Sequence, residues 1–247
     1  MKLFYLSDLH LRSASEARAK KFLHFLQQVP QVNDTLVLGG DIFDLYVGDK
    51  KHFRQIFSPI LEAIKAAETR GCSVYYLEGN HDFHLRKIFS HHEQVFVKNN
   101  DFELKWGRKS FWISHGDQID KEDYGYRFLR FSTRTLAFRA FLKAVPDSFV
   151  KMVGEWSSKT SRKYNDFDKM SVMRKERTKQ LFRNYASEKI SQGYDFVFIG
   201  HSHQEDRAEF HFGSRAGEYL NLGYSAKKVV YAEYLSDGSG LQVKTHS

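Results

Sequence analysis

The chain has one cysteine, Cys72, in 247 residues, so it can form no intramolecular disulfide. Cys72 lies between a helix-like run and an apolar run, a position that suits a small packed side chain, and a reducing, cytosolic compartment is the expectation. Apolar residues nowhere run on for the roughly 18 positions that a membrane span requires. The chain enters a strand at Lys2 with neither a long apolar core nor a cleavage signature, so neither secretion nor a spanning helix is expected. Internal repeats, low-complexity tracts and flexible linkers are also missing. With 41% hydrophobic residues, disorder is excluded, and the length suits one α/β domain with a large core.

Charge of one sign is scarce in one place only. The net charge is +8, yet residues 127–185 hold 15 Lys and Arg against 5 Asp and Glu, while the rest of the chain holds 23 against 25. One segment therefore carries the whole basic excess. Such a run is either the solvated face of a helix or a surface for an anionic partner.

Apolar strand candidates at 2–7, 35–39 and 73–78 alternate with helical stretches at about 16–28 and 53–70, the pattern of βαβ units. Shorter strands are expected at 95–97, 102–106 and 110–114, separated by the turn signals Asn99-Asn100 and Trp106-Gly107. From about 122 to 190 the texture becomes helical, with breaks near Pro146 and Gly154. Strands then return at 194–199, 206–212, 218–222, 228–235 and 241–245. The expectation is one domain over residues 1–247 with a helical insertion at 122–190.

Metal-ligating side chains follow five of the apolar runs: Asp8 and His10 after FYLS, Asp41 after TLVLGG, Asn80 after VYYLEG, His115 after FWIS, and His201 and His203 in FVFIGHSH. In α/β sheets ligands gather outside the carboxyl ends of strands, so these scattered residues can converge. Taken singly, Asp41 could cap a helix, Asn80 could serve a turn and His115 could be a satisfied buried histidine. Five strand-terminal coincidences in one chain make a joint metal site the better reading. Oxygen and imidazole donors without thiolate favour Mn²⁺, with Fe or Zn²⁺ as alternatives. Two such ions about 3.5–4 Å apart activate water and neutralise charge on a phosphoryl group under in-line attack. His81 is placed to assist the leaving oxygen, with Asp44 either holding its ring or starting a helix. His24, His52, His84, His91, His92, His211 and His246 fall outside these segments and read as structural or surface histidines.

The blocks D-x-H, G-G-D-x-x-D, G-N-H-D, H-G-D and G-H-S-H, spanning residues 8–203, resemble the calcineurin-like metallophosphoesterase superfamily. The resemblance implies an α/β fold, a four-layered α/β/β/α sandwich, with a dinuclear centre. It assigns Asp8, His10 and His203 to one ion, Asn80, His115 and His201 to the other, and Asp41 to both. A narrower resemblance, to UDP-2,3-diacylglucosamine diphosphatases of lipid A biosynthesis, rests on Ser7 to Leu11, Phe22 to Leu26, Gly40 to Asp44 with Val47-Gly48-Asp49, and Glu122 to Tyr126 before a basic helix. In that family the helical insertion forms a cap that receives acyl chains. The resemblance implies substrate contacts at Asn80, His81, Asp123, Tyr126, Arg127, Arg130 and Arg134, and more loosely at Ser158 and Lys159. Phe128, Phe131, Phe138, Phe141 and Leu142 supply bulky apolar surface beside the arginines, either for acyl chains or for packing within a helical hairpin. The chain departs from the family in having His81 where Arg is typical and Asp44 where Glu is typical. A titratable imidazole thus replaces a fixed cation, so acid assistance to the leaving group is the expectation at this position.

The leading expectation is a metal-dependent hydrolase that takes an amphiphilic nucleotide-lipid, UDP-2,3-diacylglucosamine, to UMP and 2,3-diacylglucosamine 1-phosphate. It would act in the cytoplasm, in peripheral contact with the inner leaflet of the bacterial inner membrane. The rivals are a phosphodiesterase or nuclease whose basic insertion tracks nucleic acid, and a non-enzymatic scaffold for protein partners. Oligomeric state is not legible in the sequence.

Overall fold

A computed structural model describes residues 1–146, 149, 171–236 and 240–246. The short apolar runs form two sheets. In the first, β1 (Lys2–Leu6), β2 (Thr35–Leu38), β4 (Ser73–Leu77) and β6 (Val95–Lys98) pair in parallel, and β12 (Val229–Leu235) and β13 (Gly240–His246) extend it antiparallel beyond β1. In the second, β8 (Lys109–Ser114), β9 (Phe196–Ile199) and β11 (Arg215–Leu222) run parallel, flanked by the antiparallel edges β7 (Phe102–Trp106) and β10 (Glu205–Phe212). Two further strands of two residues each, β3 (Tyr46–Val47) and β5 (Asp82–Phe83), pair with each other. Neither is visible in the sequence, because two residues carry no periodicity.

Alternation along β1 explains the layering. Leu3 and Tyr5 point between the sheets, where they meet Val37, Leu77, Phe111, Phe198 and Leu220. Phe4 and Leu6 point the other way, into a core roofed by α1 (Ala17–Gln28) and α2 (Lys51–Thr69). α1 contributes Ala19, Phe22, Phe25 and Leu26, and α2 contributes Phe53, Phe57, Ile60, Leu61 and Ile64, the i, i+3/i+4 spacing of an apolar stripe. A third cluster lies on the outer face of the second sheet, where Phe182, Ala186 and Ile190 of α5 (Val172–Ser191) pack on Val197, Ile199 and Tyr219. Helices, sheet, sheet and helix stack in that order, so the expected α/β/β/α sandwich is the fold. Cys72 is buried in the first core, and that burial pushes its thiol up to about 12.

The helical stretch after residue 122 divides earlier than expected, into α3 (Tyr124–Thr133) and α4 (Leu136–Ala144). The cause is local. Thr135 leaves the helical conformation and its hydroxyl accepts from the Phe138 N–H at 3.1 Å, which starts a new helix. α4 then ends at Ala144, two residues before Pro146, whose ring disfavours helical geometry in its predecessor. Gly154 lies outside the described residues. Leu142 anchors α4 in the first core, and Lys50 donates to the Val145 carbonyl at 2.6 Å.

Candidate metal centre

Each of the seven candidate ligands follows a strand carboxyl end, three strands from the first sheet and two from the second. Five of the seven have left-handed backbone: Asp8 (φ 53°), His10 (φ 44°), Asp41 (φ 53°), His201 (φ 64°) and His203 (φ 58°). Among the described residues only Asn33 and His84 share that geometry without glycine. Each such residue costs on the order of 1–3 kcal/mol, and such costs gather at functional sites. The turns reverse the backbone sharply enough to aim carboxylates and imidazoles inward.

Two glycines make room. A Cβ on Gly79 would stand 2.1 Å from Asp41 Oδ1, and one on Gly200 would stand 2.4 Å from Asp8 Oδ2. The site is therefore as much a product of missing side chains as of present ones.

The ligand atoms form two adjoining clusters. In the first, His10 Nε2 and His203 Nε2 stand 2.9 Å apart, with Asp8 Oδ1 3.7 Å from the His203 nitrogen. In the second, Asn80 Oδ1 lies 3.0 Å from His115 Nε2 and 2.9 Å from His201 Nδ1. Asp41 Oδ2 sits between them, 3.7 Å from His10 Nε2 and 3.4 Å from His115 Nε2. Asp8, His10 and His203 thus lie together, as do Asn80, His115 and His201. His10, Asp44 and His81 form a third close group beside the first cluster.

The fit to cations can be tested on the protein alone. Asp8 Oδ2 is buried without a hydrogen-bond partner, a costly state for a carboxylate oxygen. His115 Nδ1 is 3.1 Å from the Gly39 carbonyl, which can only accept, so Nδ1 carries the hydrogen and Nε2 turns a lone pair toward Asn80 Oδ1 and Asp41. Facing lone pairs call for positive charge between them. A proton can supply it. Burial works against the charged ring, but Asp41, Asp117 and Asp8 outweigh burial and bring His115 up to about 10. His201, by contrast, falls to about 4, through burial and the charge of His115. The oxygen and imidazole donors, the carbonyl that fixes the His115 tautomer and the unpartnered carboxylate oxygen all fit divalent ions.

Asp82 frames the site and had no assigned role in the sequence, although it stands in the G-N-H-D block. Its two oxygens accept from the backbone N–H of Asp41 (3.0 Å), Ile42 (2.7 Å), Phe43 (3.2 Å) and Gly79 (2.9 Å) and from the Tyr76 hydroxyl (2.6 Å). Burial and the nearby Asp41 charge push it up to about 7. It joins the turn that carries Asp41 to the turn that carries Asn80.

His81 lies beside these clusters. Its backbone N–H donates to Asp41 Oδ1 at 2.8 Å, and its ring Nδ1 donates to the main-chain carbonyl of Asp44 at 2.8 Å. Nδ1 thus keeps its hydrogen, and Nε2 is the ring nitrogen left for other partners. Asp44 holds the ring through its backbone, while its carboxylate lies 3.8 Å from His10 Nδ1 and 3.7 Å from Arg12 Nε.

Beyond Asn80 and His81, the expected substrate contacts fall into three groups. Arg127 is exposed on α3. Asp123, Tyr126, Arg130 and Arg134 are engaged with protein: Asp123 caps α3 at the Tyr126 N–H (2.9 Å), Tyr126 and Arg130 donate to Asp117 at 2.5 and 2.8 Å, and Arg134 pairs with Glu78. Ser158 and Lys159 lie outside the described residues. Asp117 and Glu78, like Asp82, had no role in the sequence reading; Asp117 stands inside the H-G-D block, the one signal that could have singled it out.

A two-sheet α/β sandwich whose strand ends assemble adjoining clusters of carboxylate, amide and imidazole defines a class, the metal-dependent phosphoester hydrolases. A sequence model of calcineurin-like phosphoesterases matches residues 1–205, and the chain belongs to that family. The UDP-2,3-diacylglucosamine hydrolase of Enterobacter sp. (strain 638) is 25% identical over 243 residues, covering 98% of this chain and 95% of the relative. The enzyme of that name from Yersinia pseudotuberculosis serotype O:1b (strain IP 31758) is 32% identical over 132 residues, 53% of this chain and 54% of the relative. A solved archaeal phosphodiesterase is 14% identical with a TM-score of 0.47, over 99% of both chains.

Proposed function

We propose that the protein hydrolyses the diphosphate bond of an amphiphilic nucleotide-lipid, UDP-2,3-diacylglucosamine, releasing UMP and 2,3-diacylglucosamine 1-phosphate. The near full-length likeness to UDP-2,3-diacylglucosamine hydrolases carries the choice of substrate. The reaction type rests on the family and on Asp41, whose carboxylate reaches both clusters.

Asp8, His10, Asp41 and His203 would hold one divalent ion, and Asp41, Asn80, His115 and His201 the other, with Mn²⁺ first in order of preference and Fe or Zn²⁺ behind it. Held there, such a pair would supply an activated water and neutralise phosphoryl charge. The chain's own residues do the rest. Asp82 fixes the Asp41 and Asn80 turns in their geometry. Asn80 and His81 lie against the phosphoryl group. His81, with Nδ1 tied to the Asp44 carbonyl, presents Nε2–H to the leaving oxygen.

The insertion at 122–190 is the cap. α3 and α4 leave Tyr124, Phe128, Leu129, Phe131, Leu136 and Phe141 exposed beside Arg127 and Arg139, a surface suited to acyl chains and an anionic headgroup. The same surface supports peripheral contact with an anionic bilayer, as at the inner leaflet of a bacterial inner membrane. No helix among the described residues is long and apolar enough to cross a membrane.

Incubation of the Mn²⁺-loaded enzyme with detergent-dispersed UDP-2,3-diacylglucosamine should release UMP. Fast turnover of a short oligonucleotide with no UMP release would favour the nucleic-acid alternative and sink this one. His81→Ala should lower kcat by about 10²–10⁴-fold on the lipid diphosphate. The loss should be larger on a phosphodiester with an alkoxide leaving group, which must take up a proton, than on a p-nitrophenyl ester, which need not; an equal loss on these two substrates removes His81 as the acid.

A further inference from the structure

Two residues of α3, Tyr126 and Arg130, and its C-cap, Arg134, spend their polar atoms on two buried acids of the sandwich. The Tyr126 hydroxyl and Arg130 Nε both donate to Asp117 Oδ2, at 2.5 and 2.8 Å. Arg134 pairs with Glu78 through Nη1 and donates from Nη2 to the Gly79 carbonyl at 2.7 Å. Its guanidinium also lies over the Phe83 ring, 4.8 Å from the centroid. His84 adds a bond from Nε2 to the Thr133 carbonyl at 2.9 Å, where α3 ends.

The two acids are placed alike. Glu78 precedes Asn80 by two residues and Asp117 follows His115 by two, and both Asn80 and His115 belong to the second cluster. Both carboxylates are nearly out of solvent, at 5% and 6% exposure. The Gly79 carbonyl gripped by Arg134 belongs to the peptide bond that leads into Asn80. Asp117 is close enough to His115 and His201 for its charge to act on both rings. Glu78 Oε1 accepts from the Leu85 N–H at 2.7 Å, so the same acid closes the loop that carries Asn80 and His81.

Either acid, left unpaired, would disturb the turn it stands on. A buried carboxylate without a cation must find another partner or reach water, and the backbone around it shifts to allow this. Glu78 and Asp117 stand two residues from Asn80 and His115, so such a shift displaces ligands of the second cluster. Among the described residues the sandwich supplies no arginine to either acid; Arg130 comes from α3 and Arg134 from its C-cap.

We propose that α3 is a positioning element for the second cluster: Arg130 and Arg134 neutralise and immobilise Asp117 and Glu78, so that Asn80, His115 and His201 keep the geometry that takes the second ion. The proposal rests on the two-ion reading of the site and is independent of the substrate. It gives the cap a second task beside substrate contact, because whatever moves α3 loosens half of the metal centre.

The test is Mn²⁺ titration of metal-stripped, full-length protein, followed by electron paramagnetic resonance, with thermal melting of each variant alongside. Wild type should take two ions and develop the signature of a coupled pair. Arg130→Gln and Arg134→Gln should bind the first ion as wild type does and the second about 10–100-fold more weakly, losing the coupled signal. Arg134→Lys, which retains the charge and one donor, should recover part of it. Arg183→Gln serves as the structural control. It breaks the two-point pair with Asp206 on the outer face of the second sheet, at 2.9 and 2.7 Å, and should lower the melting temperature while leaving both ions bound. Wild-type affinity for both ions in the Arg130 and Arg134 variants overturns the proposal, as does an equal loss in Arg183→Gln. A wild type that takes up no metal removes the two-ion reading itself.

Discussion

Gly79 stands between two carboxylates, and its lack of a side chain is what lets them work together. Its N–H donates to Asp82, and the space where a Cβ would sit is filled by Asp41 Oδ1 at 2.1 Å. The clash partner is the short side chain of a residue whose own backbone is tied to Asp82 at 3.0 Å, so neither side can yield cheaply. Gly79→Ala should therefore leave the fold in place but displace Asp41 by about an ångström, a misplacement worth on the order of 10²-fold in rate. Far-UV circular dichroism and kcat check it; near-wild-type kcat would show that the cradle is looser than its distances. The seven candidate ligands were legible in the sequence because each follows an apolar run that can only be a strand, and strand ends converge. Asp82, Glu78 and Asp117 were not legible as framework acids. Their partners lie elsewhere in the chain, as Asp41 does for Asp82 and Arg134 for Glu78, and one-dimensional spacing carries no hydrogen-bond direction.

At the scale of elements, strands were easier to read than the insertion. Strands buried on both faces give short unbroken apolar runs, as LVL does in β2 and FVFI in β9. The division between α3 and α4 depends instead on Thr135 exchanging a helical conformation for a cap, a choice that Arg134 reinforces by turning toward Glu78. Elements also meet through single side chains. Asp195, just ahead of β9, accepts from the Ser110 N–H (2.9 Å), the Ser110 hydroxyl (3.0 Å) and Lys109 Nζ (2.9 Å), tying β9 to the start of β8. Burial alone would raise its pKa, but these donors outweigh burial and hold it below the ordinary 3.8. A depressed folded-state pKa contributes stability above the unfolded value and loses it as pH falls through the folded one. Asp195→Asn should thus be less stable than wild type near pH 7, by on the order of 1–2 kcal/mol. The difference should close below the folded pKa. Urea unfolding at several pH values checks it, and a gap that persists in acid would assign the loss to packing.

For the whole molecule, the metal centre and folding stability are one problem. Five candidate ligands sit in left-handed backbone and an unpartnered carboxylate oxygen is buried among them, so the site without cations is a strained, electrostatically unbalanced region at the meeting of both sheets. The three hydrophobic clusters hold the five strand ends in register and bear that cost. Two consequences follow for metal removal. Each divalent ion that binds the folded chain and not the unfolded one adds about 4 kcal/mol at a free concentration a thousandfold above Kd. For a domain of this size each kcal/mol moves Tm by roughly 2–4 °C. Chelation of both ions should therefore lower Tm by on the order of 20 °C, and Mn²⁺ should restore it in a concentration-dependent way. The drop should be smaller in Asp41→Asn, which weakens the charge shared by both clusters and so leaves less binding energy to lose. Calorimetry with and without chelator, on wild type and Asp41→Asn, separates the effect from general salt stabilisation. If Tm does not respond to chelation in wild type, the ions are not linked to folding and the strained turns are stable without them.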